Sequence, residues 1–145
     1  MFKRANIMKE LQFPAKIVLN TYENGTQTLI MNTDGSVTYR GKGVFIDFSA
    51  QEYQMTIGFS EDTITLTRIG EQAYTIILSK GKTEEFRIFT NYGIVPLKVT
   101  TNDIEFEDKD GVIKLTLDYS IKPPFVISSN MNYKLNLSCT YGGTI

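Results

Sequence analysis

Turn-forming residues recur along this chain at intervals of about ten residues. Asn24-Gly25 and Asp34-Gly35 are pairs that favour two-residue hairpin turns, because both residue types tolerate positive φ. Further groups with turn residues follow at 41–43, 60–62, 70–71, 80–82, 91–93, 101–103, 108–111 and 122–124. Such regular spacing is typical of all-β sandwiches and barrels.

Between these turns, apolar and polar residues alternate. Residues 52–59, EYQMTIGF, place Tyr53, Met55, Ile57 and Phe59 on one face, and the same period of two occurs at 63–69, 103–108, 112–121 and 133–139. An antiparallel sheet with one buried face requires this pattern. We therefore predict an all-β, up-and-down antiparallel barrel of about eight to ten strands, formed by residues 11–145 as a single domain, with residues 1–10 as an N-terminal extension.

Composition argues against several classes of function. The 145 residues carry a net charge of −1, so the chain lacks the basic surface expected of a nucleic-acid or anionic-membrane partner. Histidine, the commonest general base and transition-metal ligand, is absent. One cysteine allows no internal disulfide and no cysteine-rich zinc site. We predict no cofactor, no metal, and no nucleic-acid or membrane partner, and leave homo-oligomerisation open.

The start of the chain, MFKRANIMKELQF, has basic residues without the apolar segment that a secretory signal needs. No apolar run approaches the roughly 20 residues of a transmembrane helix. We expect a cytoplasmic protein.

Three motifs carry a resemblance to a known family. They are ITLTRIG at 64–70, a strand ending in Arg-x-Gly; FTNYG at 89–93, close to a Thr-Pro-Tyr-Gly turn; and GVIKLTLDYSI at 111–121. Through them residues 64–121 resemble the YwiB-like family of small bacterial proteins of unknown function, and a weaker likeness extends over residues 15–140. The resemblance implies a lipocalin-like (calycin-type) β-barrel, and the family offers no assigned catalytic residues to carry over. This chain differs at Asn91, where the family usually has proline, and at Pro123-Pro124.

Arg68 is the most informative charged residue. By alternation it shares the inner face with Ile64 and Leu66, and a buried guanidinium needs partners, because its desolvation is costly. Two roles remain open: an anchor for the carboxylate or phosphate of a ligand, or a structural contact to backbone carbonyls at the barrel end.

The FTNYG turn offers Thr90 and Tyr92 as ligand contacts at the barrel rim. The alternative is a tight turn in which Asn91 and Gly93 adopt unusual backbone angles and Tyr92 packs over the barrel end. Pro96 cannot donate to a ladder, so it indicates an edge, a bulge or the start of a pairing segment.

Nine phenylalanines and eight tyrosines supply much of the barrel's apolar surface. We predict that Met55, Phe59, Phe86, Phe106 and Tyr119 point inward. They either fill the barrel or line a small-molecule cavity, whose wall would include Met55, Phe59 and Tyr119.

Two other features favour structural roles. The acidic residues at 103–110 do not fit a calcium loop, because placing Gly111 at the sixth position puts Phe106 and Leu117 at the first and twelfth. They are predicted to form a solvated strand face that leads into a hairpin. Cys139 shares an apolar face with Leu135 and Leu137, which predicts a buried, inert thiol.

The leading functional hypothesis is a non-enzymatic barrel that binds a small, partly apolar ligand. The alternative is a protein-interaction or self-assembly module with a filled barrel. An enzyme is the least favoured class, because nothing in the sequence specifies a catalytic pair of titratable groups.

Overall fold

The computed structural model describes residues 10–122 and 131–141. Within them the chain forms ten β-strands and no helix, which confirms the all-β prediction. The strands are β1 (Glu10–Glu23), β2 (Thr26–Arg40), β3 (Gly43–Ser49), β4 (Tyr53–Ser60), β5 (Thr63–Gly70), β6 (Tyr74–Ser79), β7 (Thr83–Thr90), β8 (Gly93–Lys109), β9 (Val112–Lys122) and β10 (Met131–Tyr141). Most of the predicted N-terminal extension, and Pro123-Pro124, lie outside the described residues.

The strands form one antiparallel sheet in the order β6-β5-β4-β3-β2-β1-β10-β9-β8-β7. Each strand pairs with its successor in sequence except β6, and β1 pairs with β10. The predicted up-and-down barrel is therefore confirmed, and the barrel is nearly closed. Its remaining gap, which we call the seam, lies between β6 and β7, where an isolated bridge joins Ala73 to Phe89.

Several predicted hairpin turns are present. Asn24 and Gly25 have φ of 49° and 86°, and Asp110 and Gly111 have φ of 54° and 79°. Two successive positive φ angles characterise the turns whose twist matches that of paired strands.

Two predicted turns are wrong, because both stretches lie inside strands. Asp34-Gly35 belongs to β2 and Thr101–Asp103 to β8. A Cβ on Gly35 would lie 2.2 Å from the carbonyl oxygen of Asp47 and 2.5 Å from Cδ1 of Ile17. Glycine is needed at Gly35 because other parts of the chain approach its backbone closely.

Strand β8 contains a bulge at Asn102. Thr101 pairs with Tyr119 and Asp103 with Asp118, so Asn102 is an extra residue without a partner in β9. The extra residue shifts the alternation by one: Val99 and Thr101 face inward before it, and Ile104 and Phe106 face inward after it.

The barrel interior is filled by side chains from every described strand. The largest of those with less than 2% exposure are Ile17, Val37, Ile46, Ile57, Ile64, Leu66, Leu78, Val99, Thr101, Ile113, Leu115 and Leu117. Met55 and Phe86 are buried, and Phe59, Phe106 and Tyr119 pack against the same core, so the predicted inward orientation of all five is confirmed. This packing leaves little room for a ligand in the middle of the barrel.

Pro14 and Pro96 occupy positions where their strands have one described neighbour. Pro14 pairs with Ser36, and pairing of β1 with β10 begins one residue later, at Ala15. Pro96 pairs with Arg87, and pairing of β8 with β9 begins at Lys98. Both positions tolerate a missing backbone donor, as predicted for Pro96.

Candidate binding cleft at the seam

A cleft of about 540 Å³ opens at the seam. This volume lies within the roughly 300–1,000 Å³ range of small-molecule sites. Its walls come from the end of β5 and the turn after it, from β6 and from β7. The lining residues are Thr67, Arg68, Ile69, Ala73, Tyr74, Thr75, Glu85, Phe86, Arg87 and Phe89. We call it the seam cleft.

The cleft exists because β6 and β7 are consecutive strands that do not form a ladder. At one end, the amide of Phe89 donates to the carbonyl of Ala73 at 2.9 Å. At the other end, the amide of Lys82 donates to the carbonyl of Ser79 at 2.9 Å. Strand β6 pairs with β5 and β7 with β8, so each presents one edge to the cleft.

Arg68 lies at the inner side of the cleft, between its cross-strand partners Met55 and Tyr74. Its Nε donates to the carbonyl oxygen of Glu71 at 2.7 Å, and its guanidinium carbon lies 3.8 Å from the centroid of the Tyr53 ring. Among the described residues, no carboxylate oxygen lies within 4.0 Å of its side-chain nitrogens. The carbonyl contact leaves the terminal guanidinium nitrogens without an anionic partner in this part of the chain.

Tyr74 connects the cleft to the barrel interior. Its ring packs edge-on against Phe86, with 6.3 Å between the ring centroids. Burial raises the pKa of Tyr74, and the nearby charge of Arg68 opposes that shift. The pKa of Tyr119 is also raised, chiefly by burial and further by Tyr74. Both phenols therefore stay protonated near neutral pH and can serve as hydrogen-bonding groups rather than bases.

Thr101 is a buried polar residue of β8, whose amide donates to the carbonyl of Lys82 in the turn between β6 and β7. It is 1% exposed, pairs with Tyr119, and its hydroxyl has no hydrogen-bond partner among the described residues. A buried unpaired hydroxyl costs about 1–3 kcal/mol. The inner face beside Tyr119 therefore contains an unused donor and acceptor.

The structure brings together some of the residues predicted from the sequence. Arg68 lines the cleft, Met55 is its neighbour on β4, and Tyr119 lies close to Tyr74 and stacks on Tyr133 at 5.5 Å. Met55 is 9% exposed and does not line the cleft. Phe59 stacks on Phe106 at 4.0 Å, towards the opposite end of the barrel.

The predicted rim residues lie in the turn that follows Phe89. The hydroxyl of Thr90 donates to the carbonyl of Gly93 at 2.8 Å and accepts from the amide of Tyr92 at 3.1 Å, so it is occupied within the turn. Tyr92 is fully exposed and does not pack over the barrel end. Gly93 has a φ of 129°, whereas Asn91 has no positive φ.

The sequence did not identify Tyr74, Glu85 or Arg87 as site residues. Their proximity follows from the gap between β6 and β7, which no local pattern indicates. Alternation alone could have placed Tyr74 on the inner face with Ile76 and Leu78.

At the opposite end of the barrel, Asp108 joins two tyrosines. The hydroxyl of Tyr141 donates to Oδ1 of Asp108 at 2.9 Å, and that of Tyr39 donates to Oδ2. Phe13 packs against both rings, at centroid distances of 6.3 and 5.5 Å. Asp108 is exposed, as predicted for the acidic run, but it lies on the same face of β8 as Ile104 and Phe106 and its carboxylate is held by the two tyrosines.

Cys139 lies on the core face near this cluster and is fully buried. Burial, together with the negative charge of Asp108, raises the pKa of Cys139 to about 11. A thiol in this setting is protonated at neutral pH and inaccessible, which agrees with the predicted inert role.

The described residues contain no cluster of three or more potential metal ligands from His, Cys, Asp and Glu. In the same ranges, no helix is long and apolar enough to cross a membrane.

Comparison with known proteins adds a family and a fold. The family model described as "Domain of unknown function (DUF1934)" matches residues 17–137. The crystal structure of the ywiB protein from Bacillus subtilis superposes with a TM-score of 0.75, over 97% of this chain and 99% of that chain, at 14% sequence identity. A search of curated proteins found no match. At 14% identity the structural match shows a shared fold and does not indicate a shared activity.

Proposed function

Since this chain belongs to the family of the domain of unknown function DUF1934, we propose that it is a cytoplasmic, non-enzymatic binding protein for a small, partly apolar ligand with an anionic group. The ligand occupies the seam cleft. The packed barrel interior supports this location over the central cavity of a hollow, lipocalin-like barrel.

The observation that carries the proposal is the set of contacts that the Arg68 guanidinium makes. The guanidinium is held by Tyr53 and the carbonyl of Glu71, lines the cleft, and has no carboxylate partner among the described residues. Arg87 adds a second cation to the lining and Glu85 one anion. This excess of positive charge suits a carboxylate or phosphate, which a guanidinium binds with paired hydrogen bonds.

The apolar part of the ligand is matched by the cleft's outer margin. Ile69 and Phe89, on opposite sides of the seam, are 58% and 51% exposed. Phe86, which is 5% exposed, adds an aromatic ring to the lining. A mostly apolar lining with a few polar anchors is the usual form of a small-molecule site.

The chemistry of the lining supports binding rather than catalysis. The chain has no histidine, and the pKa of Tyr74 is raised by burial. A general base that works near neutral pH needs a pKa close to that pH.

A second candidate, self-assembly, is favoured by one observation. Phe89 and its cross-strand partner Ile94 are 51% and 57% exposed beside the edges of β6 and β7 that no described strand pairs. Exposed apolar side chains next to unpaired edges are a common feature of association surfaces.

The test uses 8-anilinonaphthalene-1-sulfonate, an anionic and partly apolar fluorescent probe. We expect one probe per chain, and an affinity at least tenfold weaker for Arg68→Leu than for the wild type. Arg40→Leu is the matched control, because Arg40 packs on Phe45 and pairs with Glu10 away from the seam. Equal probe affinity of a folded Arg68→Leu variant and the wild type would overturn the proposal.

Native mass spectrometry of gently purified protein separates the two candidate functions. A reproducible adduct that is lost with Arg68→Leu supports ligand binding. A bare chain whose mass doubles with concentration, and which reverts to monomer with Phe89→Ser, supports self-assembly and contradicts the binding proposal.

A further inference from the structure

Strands β6 and β7 have the register of a complete hairpin although they do not form one. The bridge pairs Ala73 with Phe89, and the turn Lys80–Lys82 is flanked by Ser79 and Thr83. Counting residue by residue from the bridge places Ser79 opposite Thr83, whereas the hydrogen bond of the turn joins Ser79 to Lys82. The seam could therefore close into a ladder that keeps the register of the bridge, with Lys82 as one extra residue beside the turn.

Closure would create two kinds of side-chain pair. On the outer face, Thr75 would meet Arg87 and Ile77 would meet Glu85, and these pairs remain accessible to water. On the inner face, Ile76 would meet Phe86, which is compatible with the core. Tyr74 would meet Ile88 on the same face, and the third inner pair brings Leu78 against Glu84.

Glu84 is the one acidic residue on the inner face of β7, whose other inner residues are Phe86 and Ile88. Its cross-strand partner, Val99, is fully buried, as is Leu78. Among the described residues, no lysine or arginine nitrogen lies within 4.0 Å of its carboxylate. A closed seam would thus trap an unpaired carboxylate between Leu78 and Val99, which is strongly unfavourable.

We infer that the seam is a gate for the seam cleft, and that Glu84 keeps this gate open by opposing closure of the β6–β7 hairpin. An inward-pointing charge is a recognised means of preventing a strand edge from pairing. The gating role rests on the proposed function, whereas the closure of the hairpin does not. A ligand that fits the open cleft stabilises the open form by its differential affinity for the two forms.

Backbone directions show which amides report closure. The carbonyl of Ala73 and the amide of Phe89 face each other across the seam. Because backbone groups alternate in direction along a strand, the amides of Thr75, Ile77, Glu85 and Arg87 also face the seam. The amides of Ile76 and Phe86 face the paired strands β5 and β8.

The experiment is amide hydrogen exchange resolved by NMR, on the full chain. In the wild type, we expect the four seam-facing amides to exchange at least tenfold faster than those of Ile76 and Phe86. Glu84→Val should slow the seam-facing amides at least tenfold. Glu85→Val, the same change on the outer face of the same strand, should slow them less than threefold. If Glu84→Val does not fold, Glu84→Gln replaces it, because glutamine removes the charge and keeps the size of the side chain, and it should slow the same amides.

Equal protection of seam-facing and ladder-facing amides in the wild type would overturn the inference, as would unchanged exchange in a folded Glu84→Val variant.

Probe binding separates the inference from the proposed function. If Glu84→Val slows exchange at the seam and binds the probe at least tenfold more weakly than the wild type, the gate is supported. If Glu84→Val slows exchange but binds the probe as the wild type does, the gating role is overturned. A wild type that binds no probe contradicts the proposed function, and exchange still tests the hairpin.

Discussion

The guanidinium of Arg68 stacks on the ring of Tyr53, with 3.8 Å between the guanidinium carbon and the ring centroid. The two residues lie on the neighbouring strands β5 and β4, and Arg68 lines the seam cleft. The negative face of the ring compensates part of the hydration that the guanidinium loses. Tyr53 therefore both stabilises Arg68 and fixes its position at the cleft.

Replacing Tyr53 with leucine should remove this contact, whereas phenylalanine should keep it. We expect Tyr53→Leu to lower the free energy of unfolding by about 1–2 kcal/mol more than Tyr53→Phe does, as expected for a partly desolvated cation–π contact. Urea denaturation measures both values. A double-mutant cycle with Arg68→Leu should give a coupling energy of similar size, and purely additive effects would contradict the assignment.

Stability should fall in alkaline solution partly through Tyr39. Burial, and after it the hydrogen bond to Asp108, raises the pKa of Tyr39 above the ordinary tyrosine value of about 10. Above pH 10, the unfolded chain loses this proton while the folded chain keeps it. The free energy of unfolding therefore decreases as pH rises past 10, and the contribution is fully present below that pH.

Urea midpoints at pH 8 and pH 10.5 measure this effect. Tyr39→Phe should be less stable than the wild type at pH 8 but lose less stability between the two pH values. Tyr92→Phe is the control, because Tyr92 is fully exposed. An identical loss in Tyr39→Phe and the wild type would show that Tyr39 does not contribute to the alkaline transition.

Thr101→Val should stabilise the protein. The substitution keeps the shape of the side chain and removes a buried hydroxyl that has no described hydrogen-bond partner. We expect a gain of about 1 kcal/mol in the free energy of unfolding. Thr56→Val is the contrasting variant, because the Thr56 hydroxyl donates to Asp47 at 2.5 Å, and it should destabilise. A loss of stability in Thr101→Val would mean that the hydroxyl is satisfied in solution.

Gly35→Ala should be strongly destabilising, although Gly35 lies in a strand with no positive φ. The new Cβ would lie 2.2 Å from the carbonyl oxygen of Asp47 in β3. We expect a loss of about 1–3 kcal/mol or more, as for overpacked core positions. In Gly25→Ala the new Cβ would have open space around it, but the residue has a φ of 86°. Its loss of stability should therefore come from backbone strain alone. Thermal unfolding distinguishes them, and a smaller loss for Gly35→Ala than for Gly25→Ala would contradict the packing argument.

Local sequence was sufficient for the class of fold and for much of the core. The alternation of period two placed Met55, Ile57 and Phe59 on one face, and the structure has them on the inner face. Asn24-Gly25 and Asp110-Gly111 predicted their turns because the preference for positive φ is a property of those residues themselves. The same alternation put Arg68 on the inner face and allowed a carbonyl contact, which Glu71 provides.

Only the tertiary structure decided how the sheet closes and where its cleft lies. Pairing of β1 with β10, and the gap between β6 and β7, depend on contacts between residues far apart in sequence. Asp34-Gly35 resembles a turn but continues β2, because its neighbours Ala15 and Phe48 come from separate strands. Asp108 in β8 contacts Tyr39 in β2 and Tyr141 in β10, which are far from it in sequence. A sequence pattern specifies the two faces of a strand, whereas register and closure depend on packing the whole barrel around a common core.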